Sequence, residues 1–282
     1  MTRWLCTACG TQYPDTPAPP AVCPICDDDR EPPNRNDVAW TTLPDLVASD
    51  RGLEVVEHEP GLTGIGTVPP FGIGQRPILV RTPSGNVLWD CMAFLDDAVE
   101  QAVRARGGLS AIAVSHPHFH TTMVEWADRF DVPIWLHEDD RPWVMRPSDR
   151  VRFWTGETHT LAPGATVVRL GGHFPGSTVL LWQHAADGHG VLLTGDTIMP
   201  VPASGWATFL YSYPNSLPLP AAEVRRIRDA VAPYAFDRLY AGWFGQELIG
   251  GADRAVRGSA DRYLATLAGR VTVAPGVEGS SG

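Results

Sequence analysis

Along the 282 residues the apolar positions come in short runs separated by turn-forming clusters. That pattern predicts many short strands and a few amphipathic helices. PILVRTPSGNVLWDCM (77–92) reads as two apolar strands joined at a Pro-Ser-Gly-Asn turn. DDAVEQAVRARGG (96–108) has helical apolar spacing and is stopped by Gly107 and Gly108. LSAIAVS (109–115) is a short buried strand, and TTMVEWADRF (121–130) a helix with Met123, Trp126 and Phe130 on one side. Strands follow at VPIWLH (132–137), ATVVRL (165–170), STVLLWQH (177–184) and GVLLTGD (190–196). AAEVRRIRDAVAPY (221–234) is a helix, FDRLYAG (236–242) a strand, and ADRAVRGSADRYLATLAG (252–269) a last helix. Two runs of strands, each followed by helices, imply two packed sheets with helices outside. The chemistry-bearing stretches SHPHFH, GGHFPGS, TGDT and AGWFG all fall just past strand ends. Loops there can converge on one edge of a sandwich while the sheets stay rigid.

Composition adds limits. A hydrophobic fraction of 44% with 10 Trp allows a sizeable core, and no apolar run approaches the ~20 residues of a membrane span. A net charge of −10 argues against a general nucleic-acid binder. The opening MTRWLCTACG has no apolar stretch of signal-peptide type. Cys6, Cys9, Cys23 and Cys26 lie close together, and the fifth cysteine, Cys91, reads as a small buried hydrophobe. Such a distribution predicts a metal knot in a reducing compartment, the cytoplasm by default. Two C-x-x-C knuckles aim four thiolates at one ion, and Gly10 suits the tight turn after the first pair. The wording CTACGTQY…CPIC resembles rubredoxin and the rubredoxin-like zinc ribbons. That resemblance implies either iron with electron transfer or a structural zinc, and zinc is the expectation. DDDREPPNRND (27–37) reads as a charged, Pro-rich linker, which divides the chain into a knot at 1–36 and a main domain at 37–282.

The main domain carries the second candidate site. His116 and His118, two residues apart, face the same way in an extended or loosely turned segment. His173 sits in a loop whose Gly171, Gly172 and Gly176 permit unusual backbone angles. Asp196 follows a buried strand, where an uncompensated carboxylate is expensive unless a cation pairs with it. Together, in strand-end contexts, the four point to a metal site.

SHPHFH, GGHFPGST and TGDT, in this order, resemble the metallo-β-lactamase fold superfamily over about residues 45–270. The resemblance implies an α/β (α+β) fold of αββα sandwich type and a metal-bound hydroxide that attacks a carbonyl, phosphorus or similar electrophile. It places His116, His118 and His173 on the first metal, with Asp196 as the shared carboxylate. Three positions depart from the family pattern H-x-H-x-D-H and its late Gly-His. His120 stands at the Asp, Thr121 at the next His, and Trp243 after Gly242. Thr is a poor ligand and Trp none, so a single ion is expected, either zinc or an Fe(II) of the 2-His-1-carboxylate kind.

The leading expectation is therefore a metal-dependent hydrolase acting on a small-molecule ester, thioester, lactone or amide. Asp196 orients the attacking group or coordinates the ion, and His120 serves as a general acid or base at its ordinary near-neutral pKa. Trp243 is expected to cap the pocket, and WATFLYSYPNS (206–216) either to line the cleft or to pack as core. His58, His137, His159, His184 and His189 are assigned no role. Two alternatives stay open: a mononuclear iron oxidoreductase with the knot as electron relay, and a catalytically altered binding module. A small-molecule substrate is the expected partner, with no nucleic acid and no membrane, and the oligomeric state stays open.

Overall fold

A computed structural model describes residues 1–32, 39–183, 188–201 and 205–270. The proposed boundary at 36/37 and His184 lie outside the described residues. The knot is a three-stranded antiparallel sheet of β1 (Thr2–Cys6), β2 (Gln12–Thr16) and β3 (Trp40–Thr42), with β1 in the centre. Its third strand therefore comes from residues past the charged segment. A short helix, α1 (Leu43–Val47), leads out of it.

The main body holds two sheets. The first runs β4 (Gly52–Glu59), β5 (Leu62–Val68), β6 (Ile78–Thr82), β7 (Gly85–Trp89), β8 (Ala111–Ala113), β9 (Ile134–His137) and β10 (Val151–Trp154), in that spatial order. Strands β4 to β7 form an antiparallel meander, and β7 to β10 pair in parallel. Helices α2 (Asp97–Arg104) and α3 (Met123–Phe130) make the parallel crossovers. In the second sheet β11 (Thr158–Ala162), β12 (Ala165–Arg169), β13 (Thr178–Trp182) and β14 (Val191–Leu193) are antiparallel neighbours. Two small hairpins follow, β15 (Met199–Val201) with β16 (Trp206–Thr208) and β17 (Leu210–Ser212) with β18 (Leu217–Pro218). After α4 (Ala221–Val231), β19 (Arg238–Tyr240) joins parallel to β14, and β20 (Glu247–Ile249) closes the sheet before α5 (Ala252–Leu267).

Strand alternation explains the layers. Ile78, Val80, Val87 and Trp89 point inward and meet Leu180, Trp182, Val191 and Leu193 of the other sheet. Their neighbours Leu79 and Leu88 point outward onto Val99, Val103, Trp126 and Phe130 of α2 and α3. On the second sheet Val179, Leu181 and Leu192 do the same against Val224 and Ile227 of α4 and Val256 and Leu264 of α5. The central strands β13 and β14 are covered on both faces, so they read as unbroken apolar runs rather than alternating ones. The result is helix, sheet, sheet, helix, the αββα order expected from the motifs. Among the described residues no helix is long and apolar enough to cross a membrane.

Candidate metal centre

Four strand ends meet at one edge of the sandwich. After β8 the chain turns through a 3₁₀ segment, Pro117–Phe119, with His116 at its N-terminal boundary. His173 follows β12, Asp196 follows β14, and Gly242–Trp243 follows β19. One donor atom from each of His116, His118, His173 and Asp196 lies within 4.8 Å of the others, and all four residues are buried.

The individual distances fit an ion. His173 Nε2 is 3.3 Å from His118 Nδ1. Asp196 Oδ2 is 3.6 Å from His116 Nε2 and 3.7 Å from His173 Nε2. Ligands about 2.0–2.2 Å from a tetrahedral centre sit roughly 3.3–3.6 Å from one another, so the four donors span one coordination sphere. Among the described residues, His116 Nε2 and Asp196 Oδ1 have no hydrogen-bond partner despite burial, which a cation would remedy.

Each ring is turned by what lies behind it. His116 Nδ1 meets Ser115 Oγ at 2.8 Å, and His173 Nδ1 donates to the Tyr211 carbonyl at 2.9 Å. Both are thereby set with Nε2 toward the cluster. Gly195 is needed beside them: its φ is +51°, and a Cβ there would stand 2.4 Å from Ser115 Oγ. Gly176 has a similar constraint, since its N–H reaches Asp140 Oδ1 at 2.8 Å and an added Cβ would collide with that carboxylate. Below the site Asp90, at the end of β7, accepts the Ser115 N–H at 2.7 Å.

Burial shapes the protonation. It pushes His116 and His173 down to about 3, so both are neutral and able to ligate. It pushes Asp196 up to about 6, partly offset by His173. Desolvation raises Asp90 to about 8 and Asp140 to about 7.

The structure keeps His120 apart from the four. Its Nδ1 lies 3.3 Å from the Trp143 carbonyl, and burial pushes its pKa down to about 3. Burial thus shifts the ring below the near-neutral range in which a general acid or base was expected to titrate. Thr121 sits at φ +37° with its hydroxyl buried and its carbonyl accepting from Gln12 N of the knot. Trp243 packs on Phe119 at 5.6 Å between centroids and donates Nε1–H to the Ile73 carbonyl at 2.8 Å. The aromatic stretch 206–216 braces the ligands: Tyr211 through its carbonyl, and Tyr213 by donating its hydroxyl to the Asp196 carbonyl at 2.7 Å. Phe209 is core.

The knot makes a second cluster. Cys6, Cys9, Cys23 and Cys26 are free of disulfides and converge. Sγ–Sγ separations of 3.7 Å, Cys6 to Cys26 and Cys9 to Cys23, fit the roughly 3.8 Å edge of a tetrahedron with ~2.3 Å bonds.

Two residues at the edge bearing the histidine cluster come from the charged segment. Arg30 Nε donates to the His173 carbonyl at 2.6 Å, and Glu31 Oε1 lies 3.5 Å from His118 Nε2. A run of acids, Arg and Pro looks like a linker, and nothing in its spacing marks these two.

No family model matches the chain. The chain is 43% identical over 268 residues to "Uncharacterized protein YmaE" of Bacillus subtilis (strain 168), an alignment spanning 95% of this chain and 97% of that protein. Among solved structures it is similar to metallo-β-lactamase SMB-1 in complex with mercaptoacetic acid, at TM-score 0.53 and 17% identity, covering 77% of this chain and 97% of that one. It is also similar to DIM-1 metallo-β-lactamase, at TM-score 0.56 and 13% identity, covering 75% and 98%. A B3 metallo-β-lactamase with an active-site glutamic acid aligns at TM-score 0.54 and 17% identity, covering 78% and 90%.

Proposed function

This chain belongs to the family of Bacillus subtilis YmaE and has the metallo-β-lactamase fold, and we propose that it is a metal-dependent hydrolase with one catalytic ion and a structural zinc in its knot. The observation that carries the reading is the buried set of four donors, His116, His118, His173 and Asp196, spaced as one coordination sphere. Zinc is the favoured ion at both sites. Held at the histidine site by these residues with a water as a further ligand, it would supply a nucleophile at neutral pH and polarise the electrophile. The chain's own residues do the rest. Ser115 and the Tyr211 carbonyl orient two imidazoles, and Tyr213 and Gly195 fix the backbone at Asp196, whose carboxylate orients the attacking group. Thr121 and Trp243, standing where a second ion's ligands would come from, support a mononuclear site. The substrate class proposed is a small ester, thioester, lactone or amide, the last including the lactam bond that the names of the structural neighbours imply for those proteins.

The test is metal analysis joined to a panel of those four substrate types. Two ions per wild-type chain, one in His116→Ala, and turnover only in the former are expected. One ion in wild type would sink the reading.

One observation favours a second reading. The knot abuts the histidine motif, with Gln12 N on the Thr121 carbonyl and Gly10 against the Thr121 side chain, so a redox-active knot would lie beside the site. Iron in the knot would give visible absorption that bleaches on reduction, whereas zinc leaves the protein colourless.

A further inference from the structure

We propose that Glu31, carried on the strap leaving the knot, is the carboxylate that positions His118 at the catalytic ion. The inference rests on the four-donor reading above and adds a residue from outside the sandwich to it.

Residues 27–32 lie against the aromatic stretch that braces the ligands. Ser212 Oγ donates to the Arg30 carbonyl at 2.5 Å, and Asn215 Nδ2 donates to the Glu31 carbonyl at 3.0 Å. The Tyr211 hydroxyl donates to Asp29 Oδ1 at 2.5 Å. The guanidinium of Arg30 stands 4.0 Å over the Phe174 ring and 4.5 Å over Tyr211, pairs with Asp28 at 2.5 Å, and holds the His173 carbonyl. Glu31 thus leaves a backbone fixed on both sides. It is only 6% exposed, and a carboxylate so deeply buried needs a charge-stabilising neighbour.

One such neighbour is the outward edge of His118. The Nδ1 of His118 faces the donor cluster, and its Nε2 faces Glu31 Oε1 at 3.5 Å, within electrostatic reach but longer than an ordinary N–H···O hydrogen bond. Once Nδ1 gives its lone pair to an ion, the ring proton resides on Nε2. A carboxylate opposite that N–H fixes the tautomer, holds the ring plane and raises the basicity of the ligating nitrogen. The other two imidazoles already have neutral partners behind them, Ser115 Oγ and the Tyr211 carbonyl. Among the described residues, His118 is the one of the three backed by an anion. The two ring nitrogens point away from each other, so this contact orients the imidazole and does not itself reach the ion.

The experiment is zinc affinity by competition with a chromophoric chelator, on the full chain with the knot loaded, for wild type, Glu31→Gln and Glu31→Ala. Thermal midpoints are recorded with the histidine site empty and filled. Both variants are expected to bind zinc there about 10–100-fold more weakly, with the knot zinc retained and the empty-site midpoint unchanged. Affinity within twofold of wild type in Glu31→Gln would overturn the inference while leaving the four-donor reading intact. A midpoint that drops equally in empty and filled protein would also overturn it, since Glu31 would then only anchor the strap. If wild type takes up no second zinc, the four-donor reading itself fails, which the same titration reports separately.

Discussion

His116 and His173 enter the folded site already neutral, held at about 3 by burial, so an arriving ion displaces no proton from them at neutral pH. Asp196 is the group that differs: burial holds it up to about 6, and it supplies the only negative charge among the four donors. Asp196→Asn keeps the shape and removes that charge. Zinc affinity at the site is expected to fall by more than the roughly 10–100-fold typical of an outer partner, and turnover to vanish; isothermal titration and a rate assay read both. His120→Gln makes the contrasting case. Its ring is neutral and tied to the Trp143 carbonyl, so the variant should keep full zinc content and lose less than about tenfold in turnover, against the roughly 10²–10⁴-fold that a general base contributes. The four donors were legible because each follows an apolar strand and two are spaced i and i+2. Glu31 and Arg30 were not, because their contacts depend on where the strap lands after the knot has folded, which no local pattern encodes. Asp90 is a similar case, since a carboxylate closing an apolar strand signals nothing until Ser115 is beside it.

Among the elements, those with strong periodicity match the expected type and nearly the expected length. The Asp96 carboxylate caps α2 by accepting the Val99 N–H, and the Gly107–Gly108 stop appears in the bond from Gly108 N to the Val103 carbonyl. The hairpin of β4 and β5 went unread for a physical reason. Gly64 and Gly66 interrupt the apolar pattern, and the structure uses that space for the Phe244 ring, which an added Cβ would approach to 2.8 and 2.7 Å. A glycine is equally decisive in the turn after β14. Gly195→Ala puts a Cβ at left-handed φ into Ser115, and a loss of roughly 2–4 kcal/mol is expected in chemical denaturation. The histidine loop makes a pH prediction. Burial raises the Asp140 carboxyl from its usual range to about 7, so its contribution is full below about pH 4 and lost as pH rises through 7. Asp140→Asn can still accept the Gly176 N–H without ionising. Its stability relative to wild type should therefore improve between pH 4 and 8, and a variant midpoint that tracks wild type across that range would contradict the assignment.

Taken as a whole, the molecule is not a small knot strung ahead of an independent sandwich. The knot's sheet borrows β3 from beyond the strap, its cysteine core packs on Trp143 and Met145, and Gly72 approaches the backbone of Cys9 and Gly10. Polar contacts run along the same seam. Glu125 of α3 receives Arg3 at 3.1 Å, Gln12 Nε2 at 3.1 Å and Arg146 at 2.8 Å, and Gln12 N reaches the Thr121 carbonyl. A module this small is expected to depend on an ion at its four thiolates for folding. Losing that ion should release both the seam and the strap that holds Arg30 on the His173 carbonyl. Cys23→Ser makes this measurable, because it removes one thiolate and the sulfur that the Tyr13 hydroxyl meets at 3.1 Å. The expected outcome is a lower midpoint for the entire chain, with tryptophan fluorescence and release of the histidine-site zinc shifting together as one transition. An early melt confined to the knot, with the zinc of the sandwich released at the wild-type temperature, would show that the seam carries no energetic coupling and that the strap holds its place without the knot.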